Sequence, residues 1–80
     1  MMFSQSFFPE VRETLNDLER LFHEQNQLDL KDKIAALYLF KLGRAKNSAD
    51  LARIIGQDVT TIEQWLEIYS RQGLKALLTI

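Results

Sequence analysis

The apolar residues of this 80-residue chain recur at intervals of three and four, the repeat of one face of an α-helix. One such stripe runs through Val11, Leu15, Leu18 and Phe22. The chain holds three glycines and one proline, too few for a turn-rich β architecture. The spacing therefore predicts an all-α fold of about four or five helices without strands.

Capping residues predict where these helices begin and end. Pro9 suits the first turn of the first helix, and Asp29 is expected to cap the second. Gly43 is expected to end the second helix in the left-handed conformation, which glycine adopts without strain. The remaining expected boundaries are Ser48 as N-cap of the third helix, Gly56 at its end, Asp58 and the capping box Thr60-x-x-Glu63 at the start of the fourth, and Gly73 after it.

The residue types present exclude several classes of protein. Cysteine is absent, which excludes a disulfide framework and a thiolate metal site. A single histidine, His23, cannot by itself supply a metal cluster or a nucleophilic triad. We therefore expect no enzymatic activity, no cofactor and no metal. No apolar run approaches the roughly 20 residues of a membrane span, and no signal pattern is visible, so we expect a cytoplasmic protein.

The near-neutral net charge of −1 conceals an uneven distribution. Residues 1–29 carry two basic and six acidic side chains, a balance of −4. Residues 30–80 carry eight basic and five acidic side chains, a balance of +3. The division predicts an acidic amphipathic N-terminal helix over 1–29 and a mildly basic domain over 30–80 that suits an anionic partner.

The segment from Ser48 to Tyr69 has the spacing of a helix-turn-helix, in which two helices cross closely over a short turn. Close crossing needs a small residue on the first helix, which is Ala52. Four residues later a glycine must reverse the backbone, and Gly56 occupies that position. The apolar residues expected to fill the angle between the helices are Leu51, Ile55, Ile62 and Trp65.

One position departs from this pattern. The residue after the turn glycine is usually apolar, whereas this chain has Gln57. We expect Val59 to rotate inward and fill the gap that Gln57 leaves.

Three motifs follow one another in the second half of the chain. They are the run Leu51-Ala52-Arg53-Ile54-Ile55-Gly56, the step Thr61-Ile62-x-x-Trp65-Leu66-x-x-Tyr69 and the ending Gly73-Leu74-x-x-Leu77-Leu78. Over about residues 31–78 the chain resembles the N-terminal helix-turn-helix domain of bacterial insertion-sequence transposases related to mariner elements. The resemblance implies a homeodomain-like three-helix core, with the N-terminal helix as an addition. It also implies recognition of DNA in the major groove by the helix that begins near Val59. It does not extend to strand transfer, because 80 residues are too few for the catalytic domain of such transposases.

The candidate DNA contacts fall into two groups. A recognition helix reads base edges from its first two turns, and affinity comes largely from neutralised phosphates. Glu67 lies further along that helix and would repel phosphate. The expected base-facing residues are Val59, Thr60, Thr61, Glu63 and Gln64. The expected phosphate contacts are Arg44, Lys46, Ser48, Arg53 and Arg71, with Lys41 and Lys75 behind them.

Two alternatives stay open at this point. The N-terminal stripe either folds back onto the core or pairs with a second copy or another protein, and a homodimer suits DNA with two half-sites. Because Glu63 and Glu67 lie on the expected recognition face, the second functional class is a protein-interaction module with little affinity for DNA.

Overall fold

Helices occupy most of residues 10–80, the part of the chain that the computed structural model describes. No strand occurs in this range, so the predicted all-α fold is confirmed. In chain order the helices are α1 (Leu15–Glu24), α2 (Leu28–Leu42), α3 (Ser48–Ile55), α4 (Val59–Gln72) and α5 (Leu74–Thr79).

The first helix begins later than the sequence predicts. Pro9, the expected first-turn residue, lies outside the described residues, and α1 starts at Leu15. The hydroxyl oxygen of Thr14 accepts a hydrogen bond from the Asp17 N–H at 3.0 Å, so Thr14 is the N-cap. The prediction was wrong because the apolar stripe continues through Val11, which is buried although its backbone is not helical.

Two lysines of α2 bond to backbone carbonyls at the two ends of α1. The Lys41 ammonium donates to the carbonyl oxygens of Val11 at 3.0 Å and Glu13 at 2.6 Å. At the other end, Lys31 donates to the Phe22 carbonyl at 2.7 Å and lies 4.3 Å from the centroid of the Phe22 ring. The start of α1 thus lies near the end of α2, and the end of α1 lies near the start of α2, so the two helices run antiparallel. The N-terminal stripe folds back onto α2.

The start of α2 also differs from the prediction. Asp29 was expected to cap this helix, which was wrong: α2 begins at Leu28 with Gln27 at the N-cap position. Asp29 lies in the first turn, where its negative charge suits the positive end of the helix. Gly43 ends α2 with φ 87°, and Gly73 separates α4 from α5 with φ 90°, as predicted.

One hydrophobic core contains side chains from all five described helices. Trp65 and Tyr69 are 7% and 6% exposed, so both rings belong to this core, as their place on the apolar stripe predicts. The fully buried side chains are Leu18 of α1, Ile34 and Leu37 of α2, Leu51 of α3, Ile62 and Leu66 of α4, and Leu77 of α5.

A polar contact fixes the segment before α1 against α4. The Tyr69 hydroxyl donates to the Glu13 carboxylate at 2.5 Å and accepts from the Arg12 N–H at 3.0 Å. Burial, followed by the hydrogen bond to Glu13, raises the pKa of Tyr69 above its ordinary value. The contact joins positions 56 residues apart, so no local sequence pattern signals it.

Candidate nucleic-acid interface

The start of α3 is organised by two side chains that bond to the backbone. The Asn47 side-chain oxygen accepts from the Asp50 N–H at 2.8 Å, and the Asp50 carboxylate accepts from the Lys46 N–H at 3.0 Å. Asn47 is therefore the N-cap, and the prediction of Ser48 was wrong: Ser48 is the first helical residue and is 9% exposed. The Lys46 N–H and then the Arg53 side chain, 3.1 Å away, lower the pKa of Asp50.

The connection from α3 to α4 turns at Gly56. Its backbone is left-handed, with φ 87° and ψ 38°, and its N–H donates to the Ala52 carbonyl at 2.8 Å. Ala52, the small residue expected at a close helix crossing, is 6% exposed. Of the four side chains predicted to fill the angle between the helices, Leu51, Ile62 and Trp65 are buried and Ile55 is half-buried.

The position after the glycine is filled differently from the prediction. Val59 does not rotate inward and remains 41% exposed, so that prediction was wrong. Instead, the side-chain amide of Gln57 donates to the Asp32 carboxylate of α2 at 3.1 Å. A polar side chain is stable under this turn because α2 supplies a charged acceptor. The bond anchors the turn to α2.

The side chains at the start of α4 do not form the capping bonds that the sequence predicts. Asp58 occupies the N-cap position, as predicted, but its side chain makes no capping hydrogen bond. Val59 is already the first helical residue, which places Thr60 inside the helix. The predicted capping box of Thr60 and Glu63 was therefore wrong. Glu63 is exposed and remains available to a ligand.

The two faces of α4 have opposite character. Its inner face is buried against the core through Ile62, Trp65, Leu66 and Tyr69. Thr61 lies at the border and is half-buried. The outward face carries the remaining predicted base-facing residues, all exposed: Val59, Thr60, Glu63 and Gln64, with Glu67 one turn beyond Glu63.

A groove of about 780 Å³ lies between the start of α3 and the outward face of α4. Two carboxylates, Glu63 and Glu67, lie along it, and the Arg71 guanidinium bonds to Glu67 at 3.1 Å. From the α3 side the groove is lined by Asn47, Ser48 and Ala49, and from α4 also by Val59 and Ser70. It therefore brings together predicted phosphate and base contacts, but the charge within it is mostly negative.

Four of the predicted basic contacts lie around α3 and α4 and are all exposed, yet they differ in their partners. Arg53 forms an ion pair with Asp50, and Arg71 forms one with Glu67, both at 3.1 Å. The backbone N–H of Lys46 donates to the Asp50 carboxylate, and this hydrogen bond does not involve the Lys46 ammonium. Arg44 precedes it in the loop between α2 and α3. Within residues 10–80 neither Arg44 nor Lys46 forms an ion pair, so this loop supplies positive charge close to the start of α3.

Three other lysines contribute to the fold. Lys31 and Lys41 bond to backbone carbonyls around α1. Lys33 is 4% exposed and donates to the Ile80 carbonyl at 3.4 Å. Sequence reasoning missed these roles, since a lysine on a helix gives no sign of which carbonyl it reaches. The positive balance of residues 30–80 thus overstates the charge available to an anionic ligand.

Two further findings concern what residues 10–80 contain. In this range no three His, Asp or Glu side chains come together as a group able to hold a metal ion. None of the helices in it has the length and apolar character needed to cross a membrane.

Comparison with protein-family models, curated proteins and solved structures found no match to this chain.

Proposed function

We propose that this chain is a DNA-binding helix-turn-helix protein, either transposase-derived or a stand-alone recognition module. In this proposal α2, α3 and α4 form a homeodomain-like three-helix core, α1 is an addition to it, and α4 lies in the major groove. One observation carries the proposal: α4 is buried along one face while the opposite face of its first two turns is exposed and polar. In a helix-turn-helix the side chains that read base edges lie on this face, in the first two turns after the tight glycine turn.

The exposed side chains match the edges that bases present in the major groove. The Gln64 amide can pair with adenine, and the Glu63 carboxylate can accept from the N4 amino group of cytosine. The methyl groups of Val59 suit the thymine methyl group. Together they favour a site in which one adenine and one cytosine are specified by side chains one residue apart.

Phosphate contacts come from residues around α4. Arg44 and Lys46 lie in the loop before α3, and the first turn of α3 at Ser48 offers backbone N–H groups. Arg53 and Arg71 are more than two-thirds exposed and hold carboxylates only in surface ion pairs. Exposed pairs of this kind contribute little to stability, so either guanidinium can exchange its carboxylate for phosphate. We expect moderate affinity that depends strongly on salt.

Selection of bound sequences from a random duplex pool tests this proposal. The wild-type chain should enrich one short motif, and Gln64→Ala should lose the preference at one base position while the rest of the motif persists. Lys75→Ala is the control: Lys75 is an exposed residue of α5, and a lysine that reaches only phosphate carries no base information, so the motif should be unchanged. A wild-type pool without any enriched motif would contradict sequence-specific binding.

A second candidate function is a protein-interaction module on the same scaffold. The groove beside α4 favours it, because Glu63 and Glu67 both line the groove and Arg71 is paired with Glu67. A basic peptide suits such a surface better than phosphate does. Binding of an Arg-rich peptide that Glu63→Gln weakens, together with no binding of duplex DNA at low salt, would favour this function.

A further inference from the structure

An apolar groove of about 300 Å³ lies between α1 and α2, separate from the groove beside α4. Its apolar lining is formed by Phe22, Ala35, Tyr38 and Leu39, all half-buried, over the fully buried Leu18. These half-buried side chains leave apolar area beside the groove that a partner can cover. The groove is thus a surface on which further apolar area can be buried.

The shape of this groove suits a second copy of the same chain. An interface with two-fold symmetry uses one surface twice, so that surface must carry both a protruding and a receiving element. Phe22 and Tyr38 supply large rings to the lining, and Ala35 supplies a small residue. A ring of each copy can therefore pack against Ala35 of the other copy, and the two-fold symmetry repeats this contact.

The polar residues of the groove are complementary under the same symmetry. Glu19 and His23 both line it, four residues apart on α1 and therefore one turn from each other. When α1 packs antiparallel against α1 of a second copy, Glu19 of each copy faces His23 of the other. An imidazole N–H then donates to a carboxylate at two places. The neighbouring Arg20 forms its ion pairs with Asp17 and Glu24 within one chain.

We infer that the α1–α2 groove is a homodimer interface in which α1 packs antiparallel against its symmetry mate. The 10 residues of α1 span about 15 Å. An interface formed mainly by so short a helix buries less than the roughly 800 Å² per partner of an ordinary interface. The dimer therefore dissociates on dilution. A DNA site with two half-sites stabilises it, since each copy then binds at the high effective concentration set by the other.

Sedimentation equilibrium of the full chain without DNA tests the interface independently of the proposed function. The mass should rise with concentration from one chain of 9.3 kDa towards two. Ala35→Glu places a charge inside the groove and should keep the chain monomeric, with an unchanged helical circular dichroism spectrum. Leu28→Glu is the matched control: Leu28 is 77% exposed and lies outside the groove, so this variant should dimerise like the wild type.

A charge exchange tests the antiparallel register. Glu19→Lys should weaken the dimer at least several-fold, and adding His23→Glu should restore it, because lysine and glutamate then face each other across the two-fold axis. A wild-type chain that stays monomeric, its groove filled by another protein or another part of the chain, overturns the inference. So does an Ala35→Glu variant that dimerises as well as the wild type, or a double variant that does not recover.

Discussion

At the scale of single residues, several polar side chains have partners far away in the chain. Tyr69 bonds to Glu13, Gln57 to Asp32, and Lys41 to the carbonyl of Val11. The positions of the aromatic rings followed from helical periodicity, because burial is repeated every three or four residues. The polar partners could not be predicted, since a hydroxyl or ammonium group bonds according to tertiary proximity and leaves no periodic signal.

Tyr69→Phe measures one of these contacts. The substitution removes a donor to Glu13 and an acceptor from the Arg12 N–H, and should lower the free energy of unfolding by about 1–2 kcal/mol at pH 7. Tyr38→Phe, which removes the same atom from a half-buried ring, is the control and should cost less. Urea denaturation of both variants measures the difference.

The same contact has a defined pH dependence. The folded-state pKa of Tyr69 is raised, so the folded protein holds this proton more tightly than the unfolded chain does. Its contribution is complete below the unfolded pKa of about 10 and is lost as the pH rises through the folded value. The stability difference between wild type and Tyr69→Phe should therefore shrink above about pH 10. A difference that stays constant through that range contradicts the pKa shift.

At the scale of helices, the number and type of elements followed from the sequence more closely than their first residues did. Helix ends at Gly43, Gly56 and Gly73 were predicted correctly, because all three have a positive φ, which glycine adopts far more readily than other residues. Helix starts are less distinct: Asn47 and Ser48 are both good capping residues, and only the bond to the Asp50 N–H distinguishes them.

Asn47→Ala tests the assignment of the α3 cap. Removing the side-chain acceptor leaves the Asp50 N–H without its partner and should lower the free energy of unfolding by about 1 kcal/mol. Asn47→Asp keeps the acceptor and should preserve most of the stability. Thermal and urea unfolding provide the measurement, and an Asn47→Ala variant as stable as the wild type would show that another group caps α3.

At the scale of the whole molecule, the distribution of charge bears on both proposed functions. The positive balance of residues 30–80 suits DNA, but Lys31, Lys33 and Lys41 bond to the protein's own backbone. The face expected to read bases carries exposed Glu63 and Glu67. Positive charge therefore surrounds the proposed recognition helix without covering it. The ion pairs of Arg53 and Arg71 join residues three and four positions apart on one helix, a spacing that the sequence displays, whereas the backbone carbonyls that the three lysines reach required the structure.

Binding of duplex DNA as a function of salt, measured by fluorescence anisotropy, tests the proposed function most directly. The wild type should bind at low salt, and its affinity should fall linearly on logarithmic axes, with a slope set by the neutralised phosphates. Replacing Arg44 and Lys46 together with alanine should reduce that slope by about 1–2. Arg20→Ala, which removes an exposed charge of α1, should leave it unchanged. Absence of binding at low salt, or a slope equal in all three proteins, would contradict DNA binding through this face.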